Sequence, residues 1–237
     1  MSERIDITFD FRRDTPLNGD PDALSPTLRR YHKVLWGRTL PDGRDFQLDA
    51  SGPIRARYLY HRSELGEFHL SSDSVAPTFT RWKRMAHIIN QIPEEENEAF
   101  RSFTYTIGAM MIWPRVASEY SINAARGTNA SISDRMDLTV ECIRRFYEGL
   151  ESPLHRVLVA NARFFDLFGD FKGFIDHFLL QDLVSADYTE TRFFMPFDDF
   201  KGPARPVDLP QYLSYKEKTT GFVRSRNERI FELSLTL

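Results

Sequence analysis

A chain of 237 residues with 41% hydrophobic and 27% charged side chains can bury one sizeable core, which excludes disorder over most of its length. A formal net charge of −3 excludes a whole-chain grip on nucleic acid, because that mode relies on many Lys and Arg to neutralise phosphates. The single cysteine, Cys142, excludes an intramolecular disulfide, and no stretch approaches the roughly 18 consecutive apolar residues of a membrane span.

The start, MSERIDITFDF, has no apolar run of signal-peptide length, so a cytoplasmic location with no membrane partner is expected. Ile5, Ile7, Phe9 and Phe11 alternate with Asp6, Thr8 and Asp10, the period of two that predicts an opening strand. SPTLRRYHKVLW (25–36) predicts a helix capped by Ser25, with Pro26 in its first turn. LPDG (40–43) is a turn, and 44–70 reads as short strands, with RYLYH (57–61) and EFHL (67–70) reversing at Gly66. SSDS (71–74) offers caps before a helix through TFTRWKRMAHII (78–89), and Pro93 followed by three glutamates opens another.

TYTIGAMMIW (104–113) carries an unbroken apolar run from Ile107 that Pro114 stops. It suits a strand covered on both faces, and a buried helix fits the same run. Residues 114–130 read as irregular, a loop longer than the roughly 12 to 15 residues beyond which structureless loops are uncommon. Helices follow at 131–149, 153–167 and 169–184, with Gly149 and Gly169 as breaks. A strand at TETRFFMPF (189–197), a linker at GPARPVDLP (202–210) and a charged helix from about 208 to 234, broken near Gly221, complete the chain.

Chemistry concentrates in SINAARGTNASISDR (121–135). A loop that leaves a central strand and enters a helix sets free backbone N–H groups beside its own side chains, where anions settle. Asn123, Arg126, Gly127, Thr128, Asn129 and Arg135 offer donors, a fork for phosphate or carboxylate and a pliable backbone; Trp113 or Tyr120 offers a stacking surface. Neither a Walker A pattern nor G-x-G-x-x-G is present, and Asp134 already places a negative charge at the helix start. The plainer reading is an ordinary loop, with Ser131 or Ser133 as the cap of the helix that follows.

On the 131–149 helix, Met136, Thr139, Val140, Ile143, Phe146, Tyr147 and Leu150 share one side. Asp134, Asp137, Glu141, Arg144, Arg145 and Glu148 share the other, which reads as a solvated face. Leu138 within that stripe and the like-charge pair Asp137–Glu141 resist the assignment. Both are explained if the preceding loop covers the stripe and Arg126 neutralises the acids.

Three other carboxylates are candidates for acid/base or metal-facing work. Asp182 falls among Phe171, Ile175, Phe178 and Leu179, where a carboxylate must be paired or protonated unless the helix frays and frees it. Asp198 and Asp199 follow the expected 189–197 strand, where a base, a metal-facing group or a solvated turn are all consistent. The six histidines show no metal-ligand spacing, so no zinc site follows, and Cys142 reads as inert packing. KEKTTGFVRSRNER (216–229) is either an RNA-touching patch or a solvated terminal helix.

SINAARG, ISDRMDLTVECIRRFYEG, FFDLFGDFKGFIDHFLLQDLV, FFMPFDDF and YLYHRSELGEFHLSSDS together resemble an uncharacterised family of bacterial cytoplasmic proteins, a domain of unknown function, over roughly 9–230. The resemblance implies no activity, cofactor or catalytic residue. We expect one α+β domain over 1–237, with a charged helix in the 210–237 tail and a helix-rich C-terminal half. Its small mixed or antiparallel sheet would draw on the opening strand, 56–70, 104–113 and 189–195, packed by several helices. The functional expectation is a cytosolic enzyme acting on a phosphorylated, nucleotide-like ligand, with Asn123, Arg126 and Thr128 on the anion and Asp182, Asp198 or Asp199 as the acid/base group. The competing expectation is a non-catalytic binding or regulatory module, for instance a partner in a bacterial defence or toxin system, in which 121–135 only orders a loop.

Overall fold

Asp20 and Ser25 set the first two helices of the computed structural model, which describes residues 4–53, 58–115 and 120–237. The Asp20 side chain accepts from the Asp22 amide ahead of Pro21 and starts α1 (Pro21–Leu24). The Ser25 hydroxyl accepts from the Leu28 amide at 3.1 Å and starts α2 (Pro26–Trp36), the helix expected there.

β1 (Leu59–Ser63) and β2 (Gly66–Ser74) form an antiparallel hairpin that turns at Gly66, whose φ of 134° favours glycine. Arg57, assigned to the first strand from sequence, lies outside the described residues. α3 (Ala86–Ile89) and α4 (Glu94–Phe103) lead to β3 (Met110–Pro114), which pairs antiparallel with β2, so the sheet order is β1-β2-β3. All five β3 residues are buried, as a strand covered on both faces requires.

The remaining helices are α5 (Ile122–Thr128), α6 (Met136–Tyr147), α7 (His155–Ala160), α8 (Ala162–Phe165), α9 (Phe171–His177) and α10 (Leu209–Ser234). The fold is α+β. Phe164, Phe165, Phe168, Phe174 and Phe178 knit α8 and α9 together, with successive ring centroids 5.0–5.6 Å apart. α10 crosses behind β3, where Gly108 is demanded by proximity: a Cβ there would meet the Val223 carbonyl at 2.6 Å and Asn227 Oδ1 at 2.7 Å. Fully buried Arg226 donates from α10 to the carbonyls of Gly108, Met110 and Phe178.

Several expected elements take another form. Residues 5–10 make no strand. The Asp6 carboxylate accepts from the Thr8 amide and hydroxyl, which bends the chain locally, and a 3-10 turn (Phe11–Asp14) follows. Within 114–130, Ser121 caps the Ala124 amide at 3.3 Å and starts α5, so Arg126 and Thr128 sit on a helix rather than a loop; 116–119 lie outside the described residues. The 78–89 helix shrinks to a 3-10 turn (Lys83–Met85) and α3. The 153–167 and 169–184 helices are cut into α7, α8 and α9, with Gly169 (φ 77°) and Leu179 (φ 56°) in left-handed backbone.

The 189–197 strand reduces to one bridge, Val184↔Thr191. The Phe194 amide goes to the Asp137 carboxylate, 2.9 Å away, instead of to a ladder. α10 runs unbroken through Gly221. Its buried Tyr212, Tyr215, Phe222, Val223 and Ile230 outweigh the roughly 1 kcal/mol that a helical glycine costs. Burial of Phe222 and Arg226 also takes part of the 216–229 stretch into the core. Among the described residues no helix is long and apolar enough to cross a membrane.

Candidate functional site

Arg126 is fully buried on α5 and its guanidinium is already engaged. Nε donates to Thr139 Oγ1 (3.1 Å), Nη1 to Asp73 Oδ2 (2.6 Å), and Nη2 to the carbonyls of Asp134 (2.9 Å) and Ser74 (3.4 Å). Its central carbon lies 5.3 Å from the ring of Trp113. This arginine therefore ties the end of β2 to the start of α6. It neither presents a fork to an anion nor sits between Asp137 and Glu141.

Trp113 is fully buried beneath it and has no face to give a ligand; Tyr120 is half-buried against Arg156. The other residues singled out in 121–135 are tied to protein as well. Asn123 donates to Ser71 Oγ (3.3 Å), Thr128 Oγ1 to the Ala124 carbonyl (2.7 Å), and Asn129 to the Pro153 carbonyl (3.2 Å). Gly127 lies where a Cβ would come within 3.3 Å of the Asp134 carboxylate. Arg135 is buried, paired with Asp137 and bonded to the Ala204 carbonyl (3.1 Å).

The charged stripe of α6 is solvated only toward its end, where Glu148 is exposed. Asp137 and Glu141 are buried, and the cover comes from 191–204 rather than from the preceding loop. Burial raises the Glu141 carboxyl, but hydrogen bonds from Arg144, Arg145 and Thr191 outweigh it and hold the group below its ordinary range.

The three carboxylates proposed for acid/base work do not meet. Asp182 pairs with Arg229 of α10, Asp199 with Arg145 (2.6 Å), and Asp198 accepts from the Gly202 amide (2.6 Å). Among the described residues no group of three His, Cys, Asp or Glu side chains is arranged to hold a metal ion.

What does converge is a cleft of about 610 Å³ on the far side of Asp73. Asp20, the cap of α1, Asp22 from α1, Asp73 from β2 and Asp134 from the turn before α6 line it, together with Arg81 and Trp82. The Ser74 amide donates to Asp22 Oδ2 at 3.1 Å, which draws α1 against the end of β2 and sets Asp22 beside Asp73. Asp22 Oδ1 is buried and has no hydrogen-bond partner among the described residues.

Burial, together with the charges of Asp73 and Asp20, pushes the Asp22 carboxyl well above the usual range. Burial raises Asp73 to about 7 against the pull of Arg126. Carboxyls so perturbed inside a cleft mark candidate functional sites.

Backbone strain gathers at the same place. Phe79 (φ 59°) and Asp134 (φ 62°) both line the cleft in left-handed backbone, which a bulky residue such as phenylalanine rarely adopts. The segment that carries Phe79 is held by α10: Tyr215 and Tyr212 donate to the carbonyls of Pro77 (2.9 Å) and Thr78 (3.0 Å). This cleft had no signature in the sequence. Asp20 and Asp22 stand in a Pro/Gly-rich break and Asp73 among caps, some fifty positions apart, so only the tertiary pairing of α1 with β2 unites them.

The chain belongs to a family of unknown function, DUF6994, whose model matches residues 5–230. No curated protein and no solved structure matches it.

Proposed function

We propose that this member of the family is a cytoplasmic enzyme that binds a small phosphorylated, nucleotide-like ligand in the cleft between α1, the end of β2 and residues 77–82. Asp22 and Asp73 are its acid/base pair. The observation that supports this reading is the placement of both carboxyls on neighbouring backbone, Asp73 in β2 and Asp22 on the amide of the next residue, at the wall of one cleft. Two carboxyls held that close do not both ionise at low cost, so the pair retains a proton near neutral pH. Arg126 favours the ionised form of Asp73, which makes Asp73 the base; Asp22, with one oxygen unpartnered, is the acid. Such a pair takes a proton from an attacking water and gives one to a leaving oxygen or nitrogen, the two transfers a hydrolytic step needs. Arg126 acts through Asp73 as a positioning residue.

The test is incubation of the full chain with the mono-, di- and triphosphates of adenosine, guanosine, cytidine and uridine, with products resolved by chromatography. Turnover is expected for the native chain, and Asp73→Asn or Asp22→Asn lowers it by about a hundredfold or more while the fold is kept. Turnover unchanged in both variants, or no turnover of any member of the panel, removes the catalytic reading.

The bonds of Arg126, Asn129 and Arg135 to carbonyls of the chain itself favour the second reading, a non-catalytic module in which 121–135 orders the chain. Under it, ligand binding persists with no product formed.

A further inference from the structure

We infer that Trp82 is a stacking platform for a planar ring and that Arg81, beside it in the chain, holds the anionic group, so that the ligand of the cleft is a nucleoside monophosphate. The inference rests on the reading of the cleft given above and names the ligand class for it.

Trp82 lines the cleft and is half-buried. The Arg205 guanidinium lies 4.2 Å from its ring centroid, and Arg205 lines a neighbouring hollow rather than the cleft. The indole thus carries a cation against its ring and also lines the cleft. The rings of Trp82 and Phe79 meet at 75°, centroids 6.3 Å apart, and the Trp82 amide closes a turn onto the Phe79 carbonyl at 3.0 Å. Because Tyr212 and Tyr215 fix residues 77 and 78 from behind, the indole is ordered before any ligand arrives. A rigid aromatic surface in a polar cleft loses little entropy on binding and accepts the π-face of any base.

Arg81 is exposed and makes no ion pair or hydrogen bond with a described residue, whereas Arg101, the other guanidinium of the cleft, is held by Glu98 and Glu94. Arg81 is therefore the group with its fork open to a phosphate. Asp20 and Asp134 accept hydrogen bonds and suit the donor-bearing edge of a base or the ribose hydroxyls. The aspartates of the lining outnumber its arginines, and Arg126 offsets only Asp73, so a ligand with one phosphate meets less repulsion than a polyphosphate.

The test is calorimetric titration of the full-length Asp22→Asn chain, in which product formation does not intrude, with adenosine 5′-monophosphate, adenosine, ribose 5-phosphate and adenosine triphosphate. The monophosphate is expected to bind tightest. Trp82→Ala weakens the monophosphate and adenosine by about tenfold and leaves ribose 5-phosphate unchanged, and Trp82→Phe restores most of the loss. Arg81→Ala weakens the monophosphate and ribose 5-phosphate but not adenosine, and Arg81→Lys restores part of it. Monophosphate binding that ignores both Trp82→Ala and Arg81→Ala overturns the inference, as does tighter binding of the triphosphate or of the cation agmatine. Asp73-dependent turnover with Trp82-independent binding removes the platform alone, whereas Trp82-dependent binding without turnover removes the catalytic reading alone.

Discussion

Replacing Arg126 with alanine removes the cation that faces Asp73 and leaves the carbonyls of Ser74 and Asp134 and the Thr139 hydroxyl without their donor. Breaking a buried pair by deleting one partner costs about 3–5 kcal/mol, because the other charge is stranded. Here the lower end applies. The Asp73 side chain is 26% exposed, and a carboxyl already raised to about 7 can take up a proton instead of remaining a stranded charge. That leaves about 3 kcal/mol at pH 8, a fall in Tm of roughly 6–12 °C for a chain of this length.

The penalty shrinks toward pH 6, where Asp73 in the variant is neutral, each pH unit being worth about 1.4 kcal/mol for one titrating group. Urea unfolding of the native chain and the variant at pH 8 and pH 6, followed by circular dichroism, measures both quantities. The double variant Arg126→Ala/Asp73→Asn should recover part of the loss. A destabilisation below about 1 kcal/mol at pH 8 with an unchanged m value, or one that grows as the pH falls, would refute the assignment of Arg126 as the tie between β2 and α6.

Asp22→Asn relieves a carboxyl whose folded pKa lies above its unfolded value, a difference that penalises the folded state above the unfolded pKa of about 3.9 and increasingly toward the folded one. The variant is therefore more stable than the native chain at pH 8, with a smaller gain at pH 5, which thermal melts at the two pH values read directly. His177 runs the other way. Burial lowers it to about 3, so the unfolded chain binds a proton that the folded chain refuses, and stability falls as pH drops below about 6.5. His177→Phe, set among the rings of Trp36, Phe168 and Phe178, flattens that acid limb, seen as a smaller difference in Tm between pH 7 and pH 5. Gly108→Ala forces a Cβ into the Val223 carbonyl and Asn227, so α10 must shift; a loss of about 2 kcal/mol or more in denaturant unfolding is expected, within the range of overpacking.

Features encoded by near neighbours were legible in the chain. Ser25 before Pro26, Gly66 between RYLYH and EFHL and Pro114 after an apolar run each act on near neighbours, and α2, the β1–β2 turn and the end of β3 stand where those signals put them. Alternation at 5–11 misled because a period of two reports burial and not a ladder: Ile5 and Phe11 are buried without any strand to pair with. Helical spacing placed Asp137 and Glu141 on one side of α6 correctly, but angle alone does not say what covers that side. The cover is Thr191, Phe194 and Ala204, some fifty residues or more downstream. The same limit hid the cleft, since Asp22 and Asp73 come together through one long-range bond to the Ser74 amide that no spacing rule anticipates.

Site-resolved carbon NMR titration of the Asp22 and Asp73 carboxyls in the ligand-free chain tests the central claim most directly, because it reads the shared proton without needing a substrate. One step near pH 7 or above is expected from the pair, and Asp73→Asn should lower the Asp22 step by removing the neighbouring charge. Two independent steps below about pH 4, the ordinary range of an isolated aspartate, would contradict it.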